Sequence, residues 1–229
     1  MRAGDADKVA KWNPYDQNAS ANWFDSEWMF GITDGFDVVI GNPPYIKEYT
    51  FRQAFEGLRE SPYYQGKMDI WYLFACEGLD IAKNGKGLVT FIAQNNWVTS
   101  FGASKMRAKV VGDAQVLSLI DFGNFKIFES GIQTMIMIFQ KNNDAQSYTF
   151  DYRRLHGSSI NINDVESLLN RQNNSKAEYL NPTIKRSDFI DKPLTFSNLE
   201  IELILKRISS KHNFRLNPNK EVAQGIVCP

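Results

Sequence analysis

Up to residue 140 the chain alternates between compact apolar runs of strand length and segments whose apolar residues recur at helical spacing. Compact apolar runs rich in Val and Ile predict strands at 36–41, 87–92, 116–122 and 133–140. Apolar residues at helical spacing predict a helix over 67–82, with Asp69 near its start and Asn84 and Gly85 after its end. A shorter helix is predicted over 104–111. Strands that alternate with helices in this order are typical of an α/β fold.

Beyond residue 140 the pattern is weaker. The segment 147–154 fits one further strand, and two helices are predicted at 163–170 and 198–210. The intervening segment 170–176 is polar enough to be mobile. We therefore expect this part of the chain to be mainly helical.

A turn of unusual chemistry follows the first predicted strand, with the sequence Asn42, Pro43, Pro44, Tyr45. Because the two prolines fix φ and donate no N–H, the carbonyls around them stay free to accept hydrogen bonds from a ligand. Asn42 adds an amide acceptor, and Tyr45 adds a ring that can stack on a flat heterocycle. The turn suits a planar ring that carries an amino group. The alternative is a diproline turn that only ends a buried strand.

Two more loops are expected at the same edge of the sheet. Residues 93–97 follow the strand at 87–92 and are rich in amides, and they should lie beside the turn. Residues 123–131 join the strands at 116–122 and 133–140, and they form too long a connection for a tight hairpin. A long loop at this place is typical of a functional segment.

The string from Gly35 to Ile46 resembles the catalytic motif of N6-adenine DNA methyltransferases. Its surroundings are similar to the gamma class, which occurs in fused type II restriction-modification enzymes. The resemblance covers about residues 22–140 and implies a partial Rossmann-like, S-adenosylmethionine-dependent methyltransferase core with a terminal β-hairpin, followed by a helical bridge. It divides the chain into a connecting segment, a catalytic half, the bridge and the start of a target-recognition domain, at 1–35, 36–150, 151–220 and 221–229.

The resemblance also implies roles for the residues of the turn. Asn42 and the carbonyl of Pro43 would grip the amine, with Pro44 keeping the turn rigid. Tyr45 and Phe128 would stack on an adenine flipped out of double-stranded DNA. The enzyme must extrude the base because its N6 amine is out of reach inside the stack.

Two residues of the predicted helix are candidates for the cofactor. By resemblance, Asp69 and Phe74 would contact S-adenosylmethionine, Phe74 against its adenine. The alternatives are that Asp69 caps the helix and that Phe74 is core. Phe128 has its own alternative as an aromatic packed on the hairpin, and Phe125 is the second candidate for its role.

One part of the family's fold is not found in the sequence. The glycine-rich loop that binds the methionine part of the cofactor has no match before Asn42, where residues 1–35 carry scattered aromatics. We therefore expect a fragment that is inactive alone, with a target-recognition domain and a fused nuclease outside this chain. Two other functions stay open: a methylase of the same motif that acts on protein glutamine or RNA, and a non-catalytic binding or assembly module.

Composition adds little to this picture. The 26 basic and 26 acidic residues cancel, so DNA affinity has to come from a local surface or another domain. A cluster of Lys206, Arg207, Lys211 and Arg215 fits either phosphate contact or, more simply, a solvated helix face.

Metal and membrane sites are not expected. The two cysteines and two histidines lack metal-type spacing, and Cys76 fits a buried reduced thiol. Since no apolar run approaches about 18 residues and no signal peptide is visible, the sequence predicts a cytoplasmic protein.

Overall fold

Helices and strands alternate through the part of the chain that this computed structural model describes, which is residues 13, 15–16, 25–129, 131–188, 193–194, 196 and 199–211. The helices are α1 Ser26–Phe30, α2 Trp71–Ile81, α3 Ser104–Asp113, α4 Ile162–Leu169 and α5 Leu199–Lys211. The strands are β1 Val38–Gly41, β2 Leu88–Gln94, β3 Gln115–Asp121, β4 Thr134–Gln140, β5 Ser147–Thr149, β6 Asp151–Leu155, β7 Ala177–Leu180 and β8 Thr183–Lys185. Short 3-10 helices lie at Arg52–Phe55, Asn95–Val98, Phe101–Ala103 and Arg186–Asp188.

Six strands form one mixed sheet in the order β1-β2-β4-β3-β6-β7. β1 runs parallel to β2, and β3 runs parallel to β6. β4 lies between β2 and β3 and is antiparallel to both, so that β3 and β4 form the predicted hairpin. β5 and β8 pair separately. The predicted α/β, Rossmann-like core is confirmed.

The two faces of the sheet carry separate apolar clusters, because neighbouring residues of a strand point to opposite sides. Phe91 and Leu119 face the larger cluster, which also takes in α2 and α3. Ile92 and Ile120 face the smaller cluster, which is closed by α4. Each fully buried side chain of this size contributes roughly 1.5 to 3 kcal/mol to the hydrophobic stabilisation.

The end of the sheet at β1 is covered on one face. Val39 packs against the larger cluster. Its neighbours Val38 and Ile40 point to the other face, where they are 56% and 79% exposed within the described part of the chain. Two β-branched residues therefore lie in solvent on this edge strand.

The region after residue 150 is less helical than predicted. The single strand expected over 147–154 is two strands in different sheets, β5 and β6, separated by the buried Phe150. β6 and β7, which the sequence assigned to the helical bridge, extend the main sheet beyond β3. β7 was not predicted, because a strand of four residues shows too little periodicity.

The polar segment 170–176, which was predicted to be mobile, is bonded to the fold at its end. Asn174 and Lys176 donate hydrogen bonds to the carboxylate of Asp164, at 3.0 and 2.8 Å. The Lys176 bond, followed by that of Asn174, lowers the pKa of Asp164 to about 2.

The structure also bears on the predictions for Cys76 and for the basic cluster near residue 206. Cys76 is a buried free thiol, and burial raises its pKa to about 12. Lys206, Arg207 and Lys211 are exposed on α5, whereas Arg215 and the segment 221–229 lie outside the described residues.

The described ranges contain no cluster of three side chains that could hold a metal ion. Nor does any helix within these ranges have the length and apolar character needed to cross a bilayer.

Candidate active site

The predicted turn lies at the carboxyl end of β1. Gly41 is needed there because a Cβ at this position would lie 2.9 Å from Cε1 of Phe91 on the neighbouring strand. Pro43 is buried and anchors the turn, while Asn42 and Pro44 are exposed. No donor of the described residues bonds the Pro43 carbonyl. The turn thus presents the Asn42 amide to solvent and leaves the Pro43 carbonyl without a donor among the described residues.

Tyr45 ties this turn to the next strand. Its hydroxyl lies 2.9 Å from Oδ1 of Asn42 and 2.9 Å from the carbonyl oxygen of Ile92, near the end of β2. Burial, and secondly the charge of Asp69, raises the pKa of Tyr45. The hydroxyl is therefore a neutral donor at physiological pH, and the second lone pair of Asn42 Oδ1 is left for a ligand.

The structure brings Phe128 to the other side of this site. The rings of Tyr45 and Phe128 are 6.5 Å apart between centroids and inclined by 52°. A flat ring held between two parallel rings needs about 7 to 8 Å, which is twice a carbon–carbon contact. A small opening and a rotation of one ring would admit a base. Phe125, the second candidate, packs instead against the smaller apolar cluster.

Asp69 is a buried carboxylate directly before α2. It is 3% exposed, and neither of its oxygens is bonded to a side chain of the described residues, while the backbone N–H groups of Trp71, Ile46 and Ile70 lie close to it. Burial raises its pKa to about 6, although the Trp71 backbone N–H and the Lys47 ammonium act in the opposite direction. α2 begins at Trp71, with Ile70 at the N-cap position, and the Trp71 N–H acts on the Asp69 carboxylate, so helix capping by Asp69 stays an alternative.

Phe74 lies on the exposed side of α2, and its alternative as a core residue is wrong. Its side chain is 46% exposed. It borders a mainly apolar recess of about 340 Å³ that is further lined by Leu58, Ser61, Tyr63, Ile70, Leu73 and Glu77. The recess does not include Tyr45 or Phe128, but Ile70 lies in its wall directly after Asp69.

A hydrogen-bonded pair at the same edge was not predicted. Asp121, the last residue of β3, is 9% exposed, and its Oδ1 accepts bonds from Asn95 Nδ2 at 3.1 Å and from the Gly123 N–H at 2.9 Å. The sequence placed the two loops at this edge but gave no sign that they touch. The available signal was a carboxylate that ends an otherwise apolar strand.

The chain is similar to proteins of restriction-modification systems. The family described as Eco57I restriction-modification methylase matches residues 4–128. The type II restriction enzyme and methyltransferase RM.Eco57I of Escherichia coli is 22% identical over 183 residues, which are 77% of this chain and 17% of that protein. This chain therefore spans a small part of that relative's length.

Solved structures resemble the chain at low identity. The methyltransferase subunit of a type I restriction-modification system from Streptococcus thermophilus matches at 19% identity with a TM-score of 0.43, over 68% of this chain and 36% of that chain. LlaBIII, an ATP-dependent type ISP restriction-modification enzyme solved bound to DNA, matches at 17% identity with a TM-score of 0.45, over 72% of this chain and 13% of that chain.

Proposed function

The chain belongs to the Eco57I restriction-modification methylase family, and we propose that it is the catalytic half of a methyltransferase that modifies N6 of adenine in double-stranded DNA. The methyl donor in this proposal is S-adenosylmethionine. The observation that carries the proposal is the turn after β1, where free acceptors of Asn42 and Pro43 lie beside the paired rings of Tyr45 and Phe128.

The turn has the polarity that an exocyclic amine needs. The amine has two N–H donors, and the turn offers the second lone pair of Asn42 Oδ1 and the carbonyl of Pro43 as two acceptors. Bonds to both hydrogens favour the pyramidal form of the amine, in which the nitrogen lone pair leaves the ring and becomes nucleophilic. The exposed position of Asn42 lets the base approach from solvent.

The two aromatic rings supply the energy for holding a base outside the duplex. Extrusion costs a few kcal/mol, and stacking on an aromatic side chain returns about 1 to 3 kcal/mol per base. Tyr45 and Phe128 on opposite faces of one adenine therefore roughly offset the cost. A neutral Tyr45 is the better partner here, since a phenolate would repel the electron-rich base.

The residues of α2 fit the proposed cofactor. S-adenosylmethionine, when bound, supplies a methyl group on a positively charged sulfur. Phe74 and the apolar recess beside it suit a flat heterocycle such as adenine. Asp69 has two buried oxygens without a side-chain partner among the described residues, which suit a cationic or hydrogen-donating group.

Methyl transfer to DNA tests the proposal directly. The full-length protein is incubated with tritiated S-adenosylmethionine and unmethylated duplex DNA, and the labelled nucleoside is identified by mass spectrometry. We expect N6-methyladenine from the wild type and at least a roughly 100-fold loss in Asn42→Ala, with a loss in Tyr45→Ala as well. Tyr49→Ala, which removes an exposed ring of the same loop, serves as the matched control.

Parallel reactions separate the other functions. RNA and a glutamine-containing peptide are offered under the same conditions. Label on either of them but not on DNA would move the assignment to that substrate. Binding of DNA and S-adenosylmethionine with no transfer to any acceptor would instead favour the non-catalytic module.

A further inference from the structure

Asp121 joins two loops whose strands are not neighbours. Asn95 begins the 3-10 helix after β2, and Gly123 begins the loop after β3, while β4 lies between these strands. The carboxylate accepts from both residues through one oxygen, as described above. It therefore connects the two loops across the end of β4.

The bond to Gly123 acts where the loop changes direction. Gly123 has a φ of +58°, and a Cβ there would lie 2.2 Å from the carbonyl oxygen of Leu155. The backbone at this point is confined to one path, and Asp121 holds its N–H. Further along, Gln133 Nε2 donates to Asn124 Oδ1 at 2.6 Å, which ties the start of the loop to its far end. Both contacts limit where Phe128 can lie.

The same short segment of β2 also holds Tyr45. Ile92, the acceptor of the Tyr45 hydroxyl, lies three residues before Asn95. Tyr45 is thus bonded directly to the end of β2. The loop that carries Phe128 is connected to the same end of β2 through Asn95 and Asp121. Both rings are thus linked to residues 92–95 through hydrogen bonds.

Stabilisation of the fold alone does not explain well why a carboxylate lies at position 121. Within the described ranges Asp121 forms no ion pair, although it is buried and Arg154 is its register partner on β6. A buried carboxylate that lacks a counter-charge is costly, and two hydrogen bonds return only part of that cost. The charge does strengthen both hydrogen bonds compared with those of a neutral acceptor.

We propose that Asp121 is a positioning residue that fixes the width of the cleft between Tyr45 and Phe128. The proposal rests on the proposed function of that cleft in holding a base. Asp121 acts through Asn95 and Gly123 and does not touch the base. Its removal should let the loop drift and leave Phe128 without a defined place.

A double-mutant cycle in the full-length protein tests this coupling. Methyl transfer to unmethylated duplex DNA is measured for Asp121→Ala, Phe128→Ala and the double variant. We expect kcat/KM to fall about 10- to 100-fold in Asp121→Ala, and by less than about 3-fold for the same change in the Phe128→Ala background. Equal losses in both backgrounds would overturn the proposal.

Two further variants separate positioning from general destabilisation. Asp121→Asn keeps an acceptor oxygen and should recover kcat/KM to within about 5-fold of the wild type. Asp151→Ala removes a hydrogen-bonded carboxylate from the neighbouring β6, so it should lower the melting temperature while kcat/KM stays within about 2-fold. A loss of activity in Asp151→Ala as large as that in Asp121→Ala would contradict a specific role.

Hydrogen exchange decides the question independently of catalysis. The amides of residues 123–129 should exchange about 10-fold faster in Asp121→Ala than in the wild type or Asp121→Asn. Unchanged exchange would refute the inference even in an active enzyme. Faster exchange in a protein that methylates no DNA would support the positioning role and reject the proposed function.

Discussion

Replacing Tyr45 with Phe separates the two tasks assigned to this residue. The change removes the hydroxyl, which bonds Asn42 and Ile92, and keeps the ring that faces Phe128. Replacing it with Ala removes both. The pair of variants therefore asks whether the ring or the hydroxyl matters for the substrate.

The expected magnitudes follow from these contacts. The hydroxyl has one proton for its two acceptors, and the loss of one hydrogen bond costs roughly 1 kcal/mol, so Tyr45→Phe should lose about 1 kcal/mol of unfolding free energy. That corresponds to a fall of about 2 to 4 °C in melting temperature for a chain of this size. Because stacking is kept and Asn42 gains a free lone pair, kcat/KM should change by less than about 5-fold. Tyr45→Ala should lose the stacking energy of about 1 to 3 kcal/mol, which is about 5- to 150-fold in kcat/KM.

The assay combines thermal unfolding with tritiated methyl transfer to unmethylated duplex DNA, with Tyr49→Phe and Tyr49→Ala as controls. Tyr49 is 71% exposed on the same loop, so its variants report the effect of losing a tyrosine there. If Tyr45→Phe loses as much activity as Tyr45→Ala, the hydroxyl acts on the substrate and the stacking argument is refuted.

Three other substitutions test further parts of the site. Since burial raises the pKa of Asp69 from 3.8 to about 6, the folded protein keeps a proton that the unfolded chain releases in this range. The free energy of unfolding should therefore fall as the pH rises from about 4 to 6 and stay low above about pH 6. Asp69→Asn should remove this pH dependence and raise the free energy of unfolding by about 2 to 3 kcal/mol at about pH 8. Urea titrations at several pH values measure this, and an unchanged slope would count against the buried charge. Phe74→Ala should raise the Kd for S-adenosylmethionine about 10-fold, measured by calorimetry, with little change in melting temperature. The control Phe101→Ala removes a ring that is 66% exposed and should leave this Kd unchanged. Gly41→Ala places a methyl group 2.9 Å from the Phe91 ring, so it should cost about 1 to 3 kcal/mol in denaturant unfolding; a neutral result would mean that the ring moves freely.

Local features of the sequence were the ones that predicted structure well. The turn at 42–45 was recognisable because a β-branched strand and two prolines limit the backbone within a few residues. Its carboxyl-edge position followed from the parallel pairing expected of an α/β sheet. Phe128 was placed near Tyr45 by resemblance, and the structure brings the two rings together. The roles of these residues stay predictions.

Contacts that depend on the complete sheet could not be read from the sequence. Asp121 and Asn95 are 26 residues apart and meet only because β4 sets the spacing between β2 and β3. The break at Phe150 was also hidden, since the strand pattern continues through it while the chain passes from one sheet to the other. The burial of Asp69 was missed because a carboxylate at the start of a helix is normally an exposed cap.

The central position of β4 has a consequence for how the site comes into being during folding. β4 is the fourth strand along the chain, yet it occupies the third place in the sheet, between β2 and β3. The segment that matches the family ends at residue 128, before this strand begins. Until β4 inserts, Tyr45 and Asn95 belong to one growing unit and Asp121 to another, and only chain connectivity links them. Closing such long loops is slow, so the contact between Asn95 and Asp121 should form later than the pairing of β1 with β2.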